Sequence, residues 1–227
     1  MRVVAILCTY NEAESLPEVI SKLKQSVTGV VVVVVDDDSP DGTARVASSN
    51  GAEVLLRKNL PMGRGLAGRA GYERALELGA DAILEMDADG SHDPADAPKL
   101  LAALAAADVA VGSRSGGKGG EDQRGILRQG VSAAAKLFLK LTLRLPLEDP
   151  TSGYRAILRD ALKKINPSTL KAVGPEIVEE VYLRAQREGL KMVEVPIVFR
   201  PRAGGESKLT IGKLFKVLAG CVRMAFQ

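Results

Sequence analysis

Asp87 and Asp89, separated by Ala88, end a hydrophobic run. An Asp-x-Asp at a strand end sets two hard oxygen ligands on one tight turn. They are within reach of one divalent cation, Mg²⁺ or Mn²⁺, with nucleotide phosphates supplying the remaining oxygens. Such an ion neutralises a leaving diphosphate as a Lewis acid. A second acidic stretch, Asp36-Asp37-Asp38-Ser39-Pro40-Asp41-Gly42-Thr43, follows the valine run Val30 to Val35. Like charges gathered at one sheet edge are costly without a cation, so the two stretches together point to a metal and a phosphorylated ligand. Acidic loops after strands also serve as helix caps and turns, and Asp41, at a helix start, is expected to be one. His92 is the only histidine and the natural candidate for a general base. It also precedes a helix start, where an imidazole can bond nearby backbone.

These carboxylates need a scaffold that brings strand ends together. Short valine-rich runs alternate with helical patterns through the first half, which is how a mostly parallel sheet covered by helices is written. Strands are expected at Arg2–Cys8, Val30–Asp36, Glu53–Arg57, Asp81–Asp87, Asp108–Ser113, Tyr154–Arg159 and Met192–Phe199. Helices are expected at about 12–26, 41–50, 65–79, 94–106, 126–145, 175–189 and 210–225. Asn11 with Glu14 resembles a capping box, and Asp93-Pro94 puts a cap before a proline at the first helical position. Ser115 to Gly120 reads as a flexible loop. In such sheets ligands bind beyond the carboxyl ends of the strands.

The 227 residues suit one domain with a C-terminal extension, and the net charge of +3 is too small to argue for nucleic acid. Cys8 and Cys221 read as unrelated buried thiols of a reducing compartment. The chain opens on a strand-like run, so no signal segment is expected. No stretch reaches the length of uncharged residues a membrane span needs. A protein that is soluble, or that lies on a membrane without crossing it, is expected.

Thr9-Tyr10-Asn11-Glu12, the Asp36–Thr43 stretch and Met86-Asp87-Ala88-Asp89 resemble family 2 glycosyltransferases of the GT-A (Rossmann-like) α/β fold. Gly112-Ser113-Arg114, Asp149-Pro150-Thr151-Ser152-Gly153-Tyr154 and Arg202-Ala203-Gly204-Gly205-Glu206-Ser207-Lys208 narrow the likeness. In that order they resemble the polyprenyl-phosphate (dolichyl-phosphate) mannosyltransferases, from residue 3 to about 215. The resemblance implies that Tyr10, Glu12 and Asp37 hold the nucleoside, and that Asp87, Ala88 and Asp89 hold the diphosphate and metal. It further implies that Arg114, Arg128, Ser132, Arg202 and Lys208 bind donor and acceptor phosphates, with Asp89, Arg128 and Arg202 carrying catalysis. Ser91 stands where some relatives carry glutamine and is a weak third metal ligand. The implied reaction is inverting transfer of a hexose from a nucleotide sugar to a polyprenyl phosphate. GDP-mannose is the favoured donor and UDP-glucose the nearest rival. A phosphate acceptor is already anionic near neutral pH, so no dedicated base is required.

Arg128, Lys136, Lys140 and Arg144 recur at multiples of four, with Ser132 in the gap, on a leucine-rich helix. A basic stripe on an apolar body suits either a core helix with a solvated face or an interfacial helix. A polyprenyl substrate favours the second, with the protein peripheral on the cytoplasmic face of a membrane. Two other functions compete. Gly63-Arg64-Gly65-Leu66-Ala67-Gly68, with Glu85 about twenty residues on, matches a dinucleotide-binding fingerprint. It lies in the third βα unit, several residues past its strand, and the acidic strand ends would repel a dinucleotide phosphate. A non-catalytic sugar-nucleotide or lipid-phosphate binding module would not need the full set of metal and phosphate residues.

Overall fold

The structure is a computed structural model. It describes residues 1–115, 121–122, 126–201 and 218–224, except for the side chains of 121–129 and 131–135. Arg202, Lys208 and the side chains of Arg128 and Ser132 lie outside the described residues, as does most of the expected helix at 210–225.

In chain order the elements are β1 (Val3–Thr9), α1 (Leu16–Ser26), β2 (Val31–Asp36), α2 (Thr43–Ser49), β3 (Glu53–Leu56), α3 (Arg64–Glu77) and β4 (Ala82–Asp87). A 3₁₀ turn (Pro94–Asp96), α4 (Ala97–Ala103), β5 (Val109–Ser113), β6 (Glu121–Asp122) and α5 (Ile126–Leu143) follow. The chain continues through β7 (Arg155–Leu158), α6 (Arg159–Ile165), α7 (Ile177–Arg187), β8 (Met192–Pro196) and β9 (Val198–Phe199). Residues 218–224 are helical.

The main sheet has the order β3-β2-β1-β4-β7-β5-β8, and β6 pairs with β9 separately. Every pair in the main sheet is parallel except the two made by β7, which runs backwards between β4 and β5. Consecutive valines in β2 suit a strand covered on both faces, and both faces are covered. Val33 and Val35 join Ile6, Ile83, Tyr72 and Leu143 in one core, while Val32 and Val34 join Leu7, Leu84, Leu23 and Leu100 in the other.

Register brings the acidic ends together. Cys8 lies opposite Asp87, and Thr9 opposite Asp36, so β1, β2 and β4 end level. Because β7 is antiparallel, its start reaches the same edge, with Arg155 opposite Glu85.

Several local expectations need correction. The capping box does not form: Asn11 is in the left-handed region (φ 56°), and α1 begins only at Leu16, with Ser15 before it. Ser15 Oγ donates instead to the Ala88 carbonyl (2.8 Å), tying α1 to the Asp-x-Asp turn. Asp93 does cap, accepting from Ala95 N, but it opens the 3₁₀ turn and not α4 directly. The expected strand Met192–Phe199 is two strands, and α6 and β6 were not anticipated.

Candidate active site

Asp87 is the last residue of β4 and its side chain is 39% exposed, whereas Asp89 is buried. Asp89 Oδ1 accepts the Ser91 backbone N–H at 3.0 Å, which closes the turn around Gly90 (φ 77°). Ser91 is buried, and its carbonyl accepts the Arg200 N–H. Among the described residues no three His, Cys, Asp or Glu side chains gather to cage a metal. Two hard carboxylates on one turn, one of them open, fit an ion held jointly with a diphosphate.

His92 is not arranged as a base. Its Nδ1 accepts the Asp87 backbone N–H at 3.0 Å, which leaves the proton on Nε2. Burial lowers its pKa and keeps the ring neutral. The imidazole lies 5.0 Å from both the Tyr154 and Phe199 rings, centroid to centroid. Its work is to hold the 87–92 turn in shape.

Beneath Asp87, and on the same face of β4, lies a buried charge network. Glu85 accepts from Arg155 Nε (2.8 Å), from the Tyr72 hydroxyl and from Arg64. Burial pushes this carboxyl up, but Arg155 and Arg64 outweigh it and hold it at about 2. Arg64 sits at the start of α3, and its guanidinium also approaches Cys8 Sγ at 3.5 Å. Burial raises the Cys8 thiol to about 12, so it is no nucleophile.

The glycines of the dinucleotide-like fingerprint serve packing. A Cβ on Gly63 or Gly65 would lie 2.2 Å from the carbonyl oxygen of Val173 or Ala172. These glycines let the segment before α7 settle onto the start of α3, which leaves no phosphate cradle for a dinucleotide there.

The acidic stretch after β2 divides by role. Asp36 is fully buried and accepts from Thr9 Oγ1 and from Ser39 N and Oγ. Asp41 accepts from Thr43 and from Ala13 N, and these bonds outweigh burial to lower its pKa, as expected for a turn residue. Asp37 is paired with Arg57 and accepts the Gly63 N–H at 2.8 Å, so it fastens the loop before α3. Tyr10, just past β1, is 36% exposed, and half-buried Glu12 donates its N–H to Thr43 Oγ1 at the end of the acidic stretch.

Arg114, just past β5, is buried and forked onto Asp149 through Nε and Nη2, each at 2.7 Å. It also stacks over Phe199 at 5.0 Å. Asp149 is fully buried and takes a further ion pair from Lys136 of α5. Burial would raise its pKa, but Arg114 and Lys136 hold it well below the usual carboxylate range.

Sequence reasoning missed Arg57, Arg64, Tyr72, Glu85, Arg155 and Asp149 as partners. A signal existed for two of them. Glu85 and Arg155 are charges inside otherwise apolar strand runs, and a charge in a buried strand must find a partner.

A sheet with β7 reversed into it, and an Asp-x-Asp turn at the end of its central strand, defines a class: the GT-A α/β fold. A solved structure of glucosyl-3-phosphoglycerate synthase from Mycobacterium tuberculosis, in complex with Mn²⁺, UDP and phosphoglyceric acid, shares it. The TM-score is 0.76 over 99% of this chain and 78% of that one, at 20% identity. The chain itself belongs to glycosyl transferase family 2, whose model matches residues 4–166. It is 39% identical to undecaprenyl-phosphate mannosyltransferase of Micrococcus luteus, over 98% of this chain and 93% of that protein. It is 35% identical to polyprenol monophosphomannose synthase of Mycolicibacterium smegmatis, over 92% and 81%.

Proposed function

We propose that this glycosyltransferase moves mannose from GDP-mannose to a polyprenyl phosphate with inversion, residues 1–227 acting as one catalytic domain. The observation that carries the reading is the 39% identity, over nearly all of both chains, with a protein named undecaprenyl-phosphate mannosyltransferase. Asp87 and Asp89 would hold a Mg²⁺ or Mn²⁺ ion together with the donor diphosphate, with Ser91 as a weaker third ligand. The ion's contribution is to neutralise charge on the leaving diphosphate.

The rest is the work of side chains. Tyr10, Glu12 and Asp37 would border the nucleoside, and Ala88 the donor diphosphate. An acceptor phosphate oxygen attacks the anomeric carbon from the face opposite the diphosphate. The new C–O bond forms as the old one breaks, and GDP departs as the anion. The acceptor monoester, with a second pKa near ~6, needs no base. A neutral His92 with its Nδ1 already engaged agrees with that. Arg128, Ser132, Arg202 and Lys208 are proposed to meet the phosphates, and Arg114 to frame them through Asp149. Arginine forks suit this work because they bind phosphate bidentately and stay charged. Positioning then supplies most of the rate.

The acceptor lies in a bilayer, so we place the enzyme peripherally on the cytoplasmic face of a membrane. No helix among the described residues is long and apolar enough to cross one. Purified protein should transfer label from GDP-mannose, and not from UDP-glucose, to short polyprenyl phosphates. Equal or better transfer from UDP-glucose would overturn the donor assignment.

A further inference from the structure

Cations spaced by four do not make a straight stripe. At about 100° per residue, each step of four advances about 40° around the helix, so the set Arg128, Lys136, Lys140 and Arg144 winds round α5 and past its end. The structure shows where it divides. Leu139 and Leu143 are buried in the core, whereas Leu137, Phe138 and Leu141 are exposed by 60%, 39% and 70%. Lys140 and Arg144 are exposed with them. Lys136 goes the other way: its side chain is 16% exposed and its Nζ lies 3.1 Å from Asp149 Oδ2.

Apolar burial alone does not choose this rotation. The face with Leu137, Phe138 and Leu141 is as hydrophobic as the face with Leu139 and Leu143, so α5 could bury either at similar gain. A buried ion pair separates the two, because turning the helix away would take Lys136 from the buried Asp149 carboxylate and leave it Arg114 alone. Asp149 is itself immobilised from two other elements. Arg114, after β5, forks onto it, and Glu194 of β8 accepts the backbone N–H of Glu148 and Asp149 at 3.1 and 2.9 Å.

We propose that Lys136 is a positioning residue for the acceptor side. Its ion pair with Asp149 sets the rotation of α5, the helix that carries the proposed phosphate-binding Arg128 and Ser132, and leaves Leu137 and Leu141 outward. This rests on the proposed transfer to a lipid phosphate. The mechanism adds no substrate contact by Lys136; it acts through Asp149 and the helix.

Lys136→Met keeps length and apolarity and removes the charge. It should raise the acceptor KM about tenfold, as a misplaced binding group does, with the donor KM moved less than twofold. Lys136→Arg should restore the acceptor KM. The acceptor in these assays is a short, water-soluble polyprenyl phosphate, so a change in vesicle binding does not enter its KM. A wild-type acceptor KM in Lys136→Met, or a loss confined to vesicle binding, overturns the proposal. Should that variant fail to fold, Lys136→Gln, which retains a hydrogen-bond donor, takes its place in the same assays. A second readout needs no activity. Leu137→Cys should react with a polar maleimide much faster than Leu139→Cys, and Lys136→Met should bring the two rates together. Unchanged rates overturn the rotation argument. Absence of any transfer by the wild type would instead defeat the functional reading, and leave the labelling result to stand by itself.

Discussion

Asp89 and Asp87 differ in surroundings more than in chemistry. Asp89 is buried and its Oδ1 already accepts Ser91 N, while Asp87 stands partly open beside the Arg64–Glu85 pair. Asparagine matches Asp89 in shape and can still accept from Ser91, so Asp89→Asn removes a charge and spares the turn. We expect transfer to fall by at least about 10²-fold, on the scale of losing a key electrostatic group. The melting temperature should move by no more than a few degrees. Excess chelator should silence the wild type in the same way. Full activity in chelator, or in Asp89→Asn, would remove the metal from the mechanism. The Glu85–Arg155 pair one layer below is a different kind of feature: breaking it would strand a buried charge and threaten the fold itself.

At the scale of elements, α7 carries an unusual group. Glu179, in its first turn, is buried with Oε2 unbonded, although Arg155, Glu176 and Arg114 act on it and Cys221 packs nearby. Burial raises its pKa to about 7. The neutral carboxyl is the form the fold prefers. Its stabilising contribution is full below the unfolded value of about 4.3 and is lost as pH rises through about 7, a swing of roughly 4 kcal/mol. Glu85 and Asp149 are both held low and titrate below that window. Glu179→Gln should therefore gain stability over the wild type between pH 5 and pH 8, by several degrees in melting temperature. A constant difference across that range would show that Glu179 does not titrate in it. Such groups explain why some elements were legible in the sequence and others were not. The valines of β2 and the Asp-x-Asp after β4 announce themselves through local pattern. Short α6 begins directly at the end of β7 with no turn residue between them, and two-residue β6 is too brief to show a period. Asn11 has the composition of a cap, but its backbone is left-handed, and the contact that matters runs from Ser15 to Ala88. Glu85 and Arg155 are 70 residues apart, and Lys136 reaches Asp149 across a turn, so only the folded topology pairs them.

For the molecule as a whole, the open question is how a chain without a spanning helix among its described residues meets a lipid-borne acceptor. We propose that the outer face of α5 supplies the means. Leu137, Phe138 and Leu141 project from the body, with Lys140 and Arg144 beside them. Lys136 is withdrawn into its pair with Asp149, so this face offers two described cations and not three. Two cations near an anionic surface are worth about 2 kcal/mol together, while each large apolar side chain fully buried is worth about 1.5–3 kcal/mol. Insertion should therefore dominate, and salt should weaken binding without abolishing it. In a flotation assay the wild type should rise with anionic vesicles at low salt and remain partly bound at high salt. Leu137→Asp with Leu141→Asp should abolish flotation, and Lys140→Glu with Arg144→Glu should lower it only in part. Donor binding should persist in both pairs, because the carboxylates sit at the strand ends and not on this face. Transfer to a short, water-soluble polyprenyl phosphate should survive as well, whereas transfer to acceptor embedded in vesicles should fall with flotation. If the wild type stays in the soluble fraction at low salt, with or without anionic lipid, α5 is not the docking surface. Its exposed leucines would then need another partner.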